Sequence, residues 1–171
     1  METAQILSTE QAIAGGDGTD QFLTFMLAGE EYAVDILRVQ EIKGWDAVTN
    51  IPNTPEYIRG VMNLRGTIVP IIDMRLRFNL QPMEYGPTTV VIVLKVINES
   101  KSRIMGVVVD GVSDVYNIPK EEIKEAPDFG ADVHTDFIKG LATVDEKMVI
   151  ILDIDRMLNT SELTAVDSAF E

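Results

Sequence analysis

Apolar residues recur along much of this chain with a period of two, the spacing of a half-buried strand. The pattern begins at Gln21. In "FLTFMLAGEEYAVDI", Leu23, Phe25 and Leu27 share one face, and Tyr32, Val34 and Ile36 share another. These two extended runs flank a Gly-containing turn over Ala28 to Glu31. "VQEIKGW" continues as a short strand that ends at Gly44. "NTPEYIRGVM" predicts a brief helix, with Thr54 as its cap, Pro55 at its first position and Gly60 at its end. "GVMNLRGTIVPIIDMRLRF" then predicts a strand followed by one turn of helix. Pro70 demands an edge, a strand start or a bulge, and Gly66 allows a turn, so this strand is expected to bend with Arg65 at the bend.

From Thr88 the pattern repeats in kind. "TTVVIVLKVI" is almost continuously apolar, as for a strand buried on both faces. "NESKS" is a polar turn, "RIMGVVVDGVSDVYNI" returns with a tight turn at Asp110-Gly111, and "PKEEIKEAPDFGADVHTD" is a long polar connection. "KMVIILDI" is the last strand. Asn159 with Glu162 resembles a helix start, after which Leu163, Val166 and Phe170 share a helical face over residues 161–171. Residues 1–20, with "GGDGTD", carry no apolar period and are expected to form a disordered tail. Many short strands and little helix indicate an all-β barrel class. Two clusters of strands over residues 21–160, divided near 82–88, suggest two small barrels. No tandem repeat is visible, so the duplication is inferred from layout.

Composition narrows the chemistry. The chain has 171 residues, 46% hydrophobic and 25% charged, enough for a self-standing core. No apolar run approaches the ~18 residues of a membrane span, and the acidic, polar start is not a secretory signal. A net charge of −14 argues against nucleic acid and anionic membrane surfaces as partners. The absence of cysteine excludes disulfides, thiolate catalysis and Cys-ligated metals, and fits a cytoplasmic protein. The single histidine, His134, stands between Asp132 and Asp136 in a polar segment and reads as a solvated loop residue. Asp73, Asp110, Asp114, Asp153 and Asp155 lie near strand ends, where Asp favours turn geometry. Phosphate-binding glycine loops and a nucleophile elbow are missing. No catalytic residue, metal site or cofactor is expected. Met26, Met105 and Met148 lie in apolar strands and are expected in the core. Arg65 suits either a snorkelling stem or a partner contact.

Four stretches carry a family resemblance: "VQEIKGWDAVTNIPNTPEYIRGVMNLRGTIVPIIDMRLRF", "TTVVIVL", "MGVVVDGVSDV" and "FIKGLATVDEKMVIILDIDRML". They closely resemble CheW, the bacterial chemotaxis coupling family, and the N-L-R-G-x-[IV]-[IV]-P-[IV]-[IV]-D pattern is long and specific. The resemblance implies two SH3-like five-stranded barrels on a shared hydrophobic junction. It also implies a cytoplasmic, non-enzymatic adaptor recruited to receptor arrays, joining the cytoplasmic tips of methyl-accepting chemoreceptors to the regulatory domain of the histidine kinase CheA, without inserting into the membrane. Val39, Glu41, Gly60, Arg65, Val112 and Val115 match the family's receptor-facing groove. Thr89, Val90 and Phe129 match its kinase-facing surfaces. The competing readings are a small-ligand-binding barrel with the junction as its pocket, and a hydrolase built on the scattered aspartates.

Overall fold

The computed structural model describes residues 19–99, 101–127 and 137–158. The expected tail, the C-terminal helix, His134 and Phe129 lie outside these residues, save that Thr19 and Asp20 open the first strand. Ten strands run in chain order: β1 (Thr19–Leu27), β2 (Glu30–Asp35), β3 (Val39–Gly44), β4 (Ile58–Leu64), β5 (Thr67–Asp73), β6 (Val90–Asn98), β7 (Lys101–Val109), β8 (Gly111–Pro119), β9 (Ile138–Val144) and β10 (Lys147–Leu152). Two single-turn helices follow β5 and β10: α1 (Met74–Arg77) and α2 (Ile154–Met157).

The strands form two five-stranded sheets, ordered β8-β1-β2-β10-β9 and β3-β6-β7-β5-β4. Each closes toward a barrel through an isolated bridge between its two outer strands' surroundings. Thr49, beyond β3, pairs with Val61 of β4, and Lys124, beyond β8, pairs with Leu141 of β9. This is the expected SH3-like pair of small barrels. The chain does not, however, build one barrel and then the other. β1 and β2 join β8–β10, whereas β3–β5 join β6 and β7. The expected division near 82–88 therefore falls inside one sheet, between β5 and β6.

The swap has a simple mechanical origin. After β2 a 3₁₀ turn, Ile36–Arg38, carries the chain into the other sheet, and after β7 the single residue Asp110 does the same. Asp110-Gly111 is thus a crossover, because β8 pairs with β1 rather than folding back on β7. Strands that serve both barrels are buried on both faces. Phe22 and Ala33 fill one barrel with Ile118, Val149 and Ile151. Val69, Ile71, Val91 and Val93 fill the other. The opposite faces, Leu23, Phe25 and Val34 with Ile72, Ile92, Leu94 and Val107, meet in the junction. The near-continuous apolar run of β6 reflects this double burial.

The two halves of the chain are structural copies, β1–β5 with α1 and β6–β10 with α2, and their last hairpins are offset by 80 residues. Residues 57–78 and 137–158 each give a hairpin followed by a single helical turn. Asp73 and Asp153 cap those helices, accepting from the Leu76 and Arg156 N–H groups at 3.2 Å. Their own N–H groups donate to Tyr57 and Phe137. Gly60 and Gly140 sit where β4 and β9 approach a neighbouring backbone. A Cβ on Gly60, at φ +140°, would collide with the Thr49 carbonyl, and one on Gly140 would lie 2.9 Å from the Lys124 oxygen.

Several local expectations give way to tertiary pairing. The brief helix at "NTPEYIRGVM" is a turn leading into β4, whose Ile58, Val61 and Met62 are buried. The Thr54 hydroxyl donates to the Ile51 carbonyl, 3.0 Å away, instead of capping a helix. The bent strand through Arg65 is a hairpin, β4–β5, turning at Arg65 (φ 54°) and Gly66 (φ 91°), both left-handed as a type I′ turn requires. Pro70 is tolerated inside β5 because it faces Val61, whose N–H and C=O bond to Thr49 on the opposite side. The missing Pro70 donor points away from β4, at the end of a parallel ladder with β7 that begins at Ile71. β9 lies just after the long polar connection, in a stretch for which the side-chain pattern predicted no element. Met105 is core as expected, but Met26 is half-buried and Met148 is 55% exposed.

Candidate protein-binding surface at the inter-barrel junction

β3 and β8 are the edge strands of their sheets and occupy equivalent positions in the two barrels. Both carry half-buried apolar side chains against the junction: Val39 and Ile42 from β3, Val112 and Val115 from β8. Three of the six residues expected on the receptor-facing groove therefore pack on one cluster. Ile42, two residues from the β3 bulge, belongs with them and is an addition of the structure.

Glu41 and Arg65 are brought together from separate elements. Arg65 Nη2 lies 2.9 Å from Glu41 Oε1. The Arg65 side chain is 83% exposed, while Glu41 is mostly covered. The turn that presents Arg65 is held by the Asn63 carboxamide, which accepts the Gly66 N–H at 2.9 Å. Gly60 differs from the others. It is buried and offers no side chain, and its contribution is the close approach of β4 to Thr49.

Of the expected kinase-facing residues, Thr89 is buried. Its hydroxyl accepts the Gly86 N–H and its carbonyl accepts the Trp45 N–H, so it shapes the entry to β6. Val90 is half-buried at the start of β6 and packs on the junction. Phe129 lies outside the described residues.

The scattered aspartates have structural partners. Asp73 and Asp153 are caps, and Asp73 also accepts a short hydrogen bond from the Tyr85 hydroxyl. Burial, that hydrogen bond and the Asp73 charge push the Tyr85 phenol well above its ordinary value. Arg75 grips Asp110 through Nε at 2.8 Å and Nη2 at 2.6 Å, and the Ala28 N–H adds a third bond at 2.8 Å. Arg38 grips Asp155 at 2.7 and 2.8 Å, with the Ile97 N–H at 2.8 Å. Burial alone would raise both carboxyls, but the guanidinium and backbone N–H bonds outweigh it and hold them below the ordinary carboxylate value. Among the described residues no group of three or more acidic or histidine side chains is placed to hold a metal. The junction itself is filled by packed side chains, which leaves the expected ligand pocket occupied by the protein's own core.

Comparison with known proteins decides the family. The CheW-like domain model matches residues 21–162. The chain belongs to the CheW-like family. It is 47% identical over 162 residues to the chemotaxis protein CheW of Klebsiella aerogenes, covering 95% of each. It is 32% identical to the CheW of Rhizobium meliloti, over 87% of this chain and 94% of that one. Among solved structures, the scaffolding protein TtCheW of Thermoanaerobacter tengcongensis superimposes with a TM-score of 0.75 at 31% identity, covering 84% of this chain and 95% of that one. The CheW-like fold accounts for the two barrels and their junction. One sequence signal for the missed β9 and for the duplication was present: "YIRG" at 57–60 recurs as "FIKG" at 137–140.

Proposed function

We propose that this chain is a non-enzymatic adaptor of bacterial chemotaxis that couples chemoreceptor cytoplasmic tips to the regulatory domain of the histidine kinase CheA. The observation that carries the reading is the grouping, in a CheW-like chain, of Val39, Val112 and Val115 on two edge strands beside one junction. The Arg65–Glu41 pair adds an exposed guanidinium to β4–β5. An amphipathic receptor segment would set its apolar side chains against the valines and an acceptor group against Arg65, which offers planar, bidentate recognition. Half-buried apolar side chains suit such a contact because they gain burial on binding without having collapsed the free protein. Val90, with Phe129, is assigned to the kinase side. No helix among the described residues is long and apolar enough to cross a membrane, and recruitment to arrays would come through the receptors.

Co-sedimentation of the purified chain with a receptor cytoplasmic fragment and CheA tests this. The expected outcome is a ternary pellet and receptor-dependent kinase activation, both reduced by Val112→Asp at an unchanged far-UV spectrum. A chain that pellets with neither partner would sink the proposal.

A further inference from the structure

The internal duplication and the sheets shared between its two copies bear on what this chain can pair with. Neither half of the chain owns a barrel. Residues 19–78 supply β1–β2 to one and β3–β5 to the other, and residues 90–158 supply β6–β7 and β8–β10 reciprocally. Each barrel is therefore an interface between halves. The parallel ladders β10·β2 and β5·β7, and the antiparallel ladders β1·β8 and β3·β6, all join one half to the other.

The charges on this interface are sorted. Arg38 and Asp110 occupy the two crossovers, and Arg75 and Asp155 occupy equivalent places, 80 apart, on α1 and α2. The first half carries both arginines and the second both aspartates. Each ion pair runs between halves, Arg38 to Asp155 and Arg75 to Asp110. Arg77 of the first half likewise lies over the Phe137 ring at 4.5 Å and donates to the Met157 carbonyl, both in the second. In a pairing of like halves, Arg38 would meet Arg75 and Asp110 would meet Asp155. Such repulsion at partly desolvated positions discriminates against the wrong partner.

We propose that the two halves are complementary recognition modules, and that a second copy of this chain can supply either one, giving a reciprocally exchanged dimer in which first halves pair only with second halves. The connection at residues 79–89 is the hinge. Extended, it reaches roughly 35 Å, far enough to place the halves in different two-barrel units. In the native chain it keeps them at high effective concentration and favours self-closure. The exchanged dimer keeps the contacts between halves, the ordinary condition for swapping, and gives up only those of the hinge itself, such as the Tyr85 hydroxyl on Asp73 and the Tyr85 ring on Trp45.

The test uses two full-length variants. One carries Arg38→Asp and Arg75→Asp, so that its own halves repel; the other carries Asp110→Arg and Asp155→Arg, with the same result. In an equal mixture, the intact first half of the second variant matches the intact second half of the first, and the two altered halves match each other in reverse. Each variant alone is expected to melt below the parent. Unfolded together and refolded, they should give a species of twice the chain mass containing both, melting above either variant alone. Light scattering after size exclusion, with one chain tagged, reads the outcome. A mixture that returns only monomers or only aggregate overturns the proposal. So does a dimer that either variant forms equally well alone, or single variants that melt with the parent.

Discussion

At the scale of residues, similar positions carry different burdens. Arg65 and Gly60 are both expected on the receptor-facing groove, yet one is exposed and the other buried. Arg65→Ala is expected to weaken binding of a receptor fragment by roughly 1–3 kcal/mol, the range of an interface hot spot. It should change stability by less than about 1 kcal/mol, since an exposed ion pair contributes little. Titration and thermal melts on the same protein separate the two. A large stability loss with normal binding by the folded fraction would make Arg65 structural. Gly60→Ala should behave oppositely. Its Cβ would strike the Thr49 carbonyl and the φ of +140° strains any L side chain, so a loss of roughly 3 kcal/mol or more is expected in a denaturant titration. A third position tests the turn chemistry. Glu146 (φ 67°) stands where the other hairpin has Gly66. Glu146→Gly should raise stability by up to about 1 kcal/mol, because only glycine enters this region without steric cost; an unchanged midpoint would count against that account.

At the scale of elements, the crossovers and single-turn helices are tied down by charge. A carboxyl whose folded pKa is depressed contributes stability that is fully present above its unfolded value and is lost as pH falls through the folded one. Asp110 and Asp155 are both depressed, so the loss begins as pH drops toward about 4 and deepens below it. Asp110→Asn should lower the melting temperature at pH 7 and flatten its fall between about pH 5 and pH 3. A parallel curve displaced by a constant would show that the Asp110 charge is not the group being titrated. Arg38 also faces Asp35 and Asp153, and Arg75 faces Asp73, so removal of one aspartate leaves each guanidinium some compensation. The elements themselves were partly legible. β1, β2, β3, β6 and β10 follow their alternation or continuous apolar runs. β9 was not recognised, because its buried face is made of small residues, Gly140 and Ala142, and its partner β10 lies across a turn made of Asp145 and Glu146, without the glycine that marks a hairpin.

At the scale of the whole molecule, the junction holds both the structure and the candidate site. Val39 lies far along the chain from Val112 and Val115, and the three converge only because β3 and β8 change sheets. Placing a charge there tests whether the junction margin is a contact surface or merely core. Val115→Asp should abolish receptor-fragment binding while a size-exclusion profile stays monomeric and folded; a variant that unfolds outright would assign Val115 to the core.

The sequence by itself determined the class: short strands, alternating burial, an acidic surface and a family pattern centred on "NLRGTIVPIID". These are local properties, set by side-chain period, turn residues and motif, and they survive whatever the chain does at long range. Tertiary structure alone decided which strands pair. A run such as Val90–Asn98, apolar on both faces, states that it is buried twice but not by what. The exchange of β3 and β8 between sheets turns on a three-residue turn and one aspartate, whose partners, Asp155 and Arg75, lie 117 and 35 residues away. Ion pairs at such separation leave no periodic trace in the chain. Their geometry forms only when the junction excludes enough water for an arginine and an aspartate to be worth bringing together.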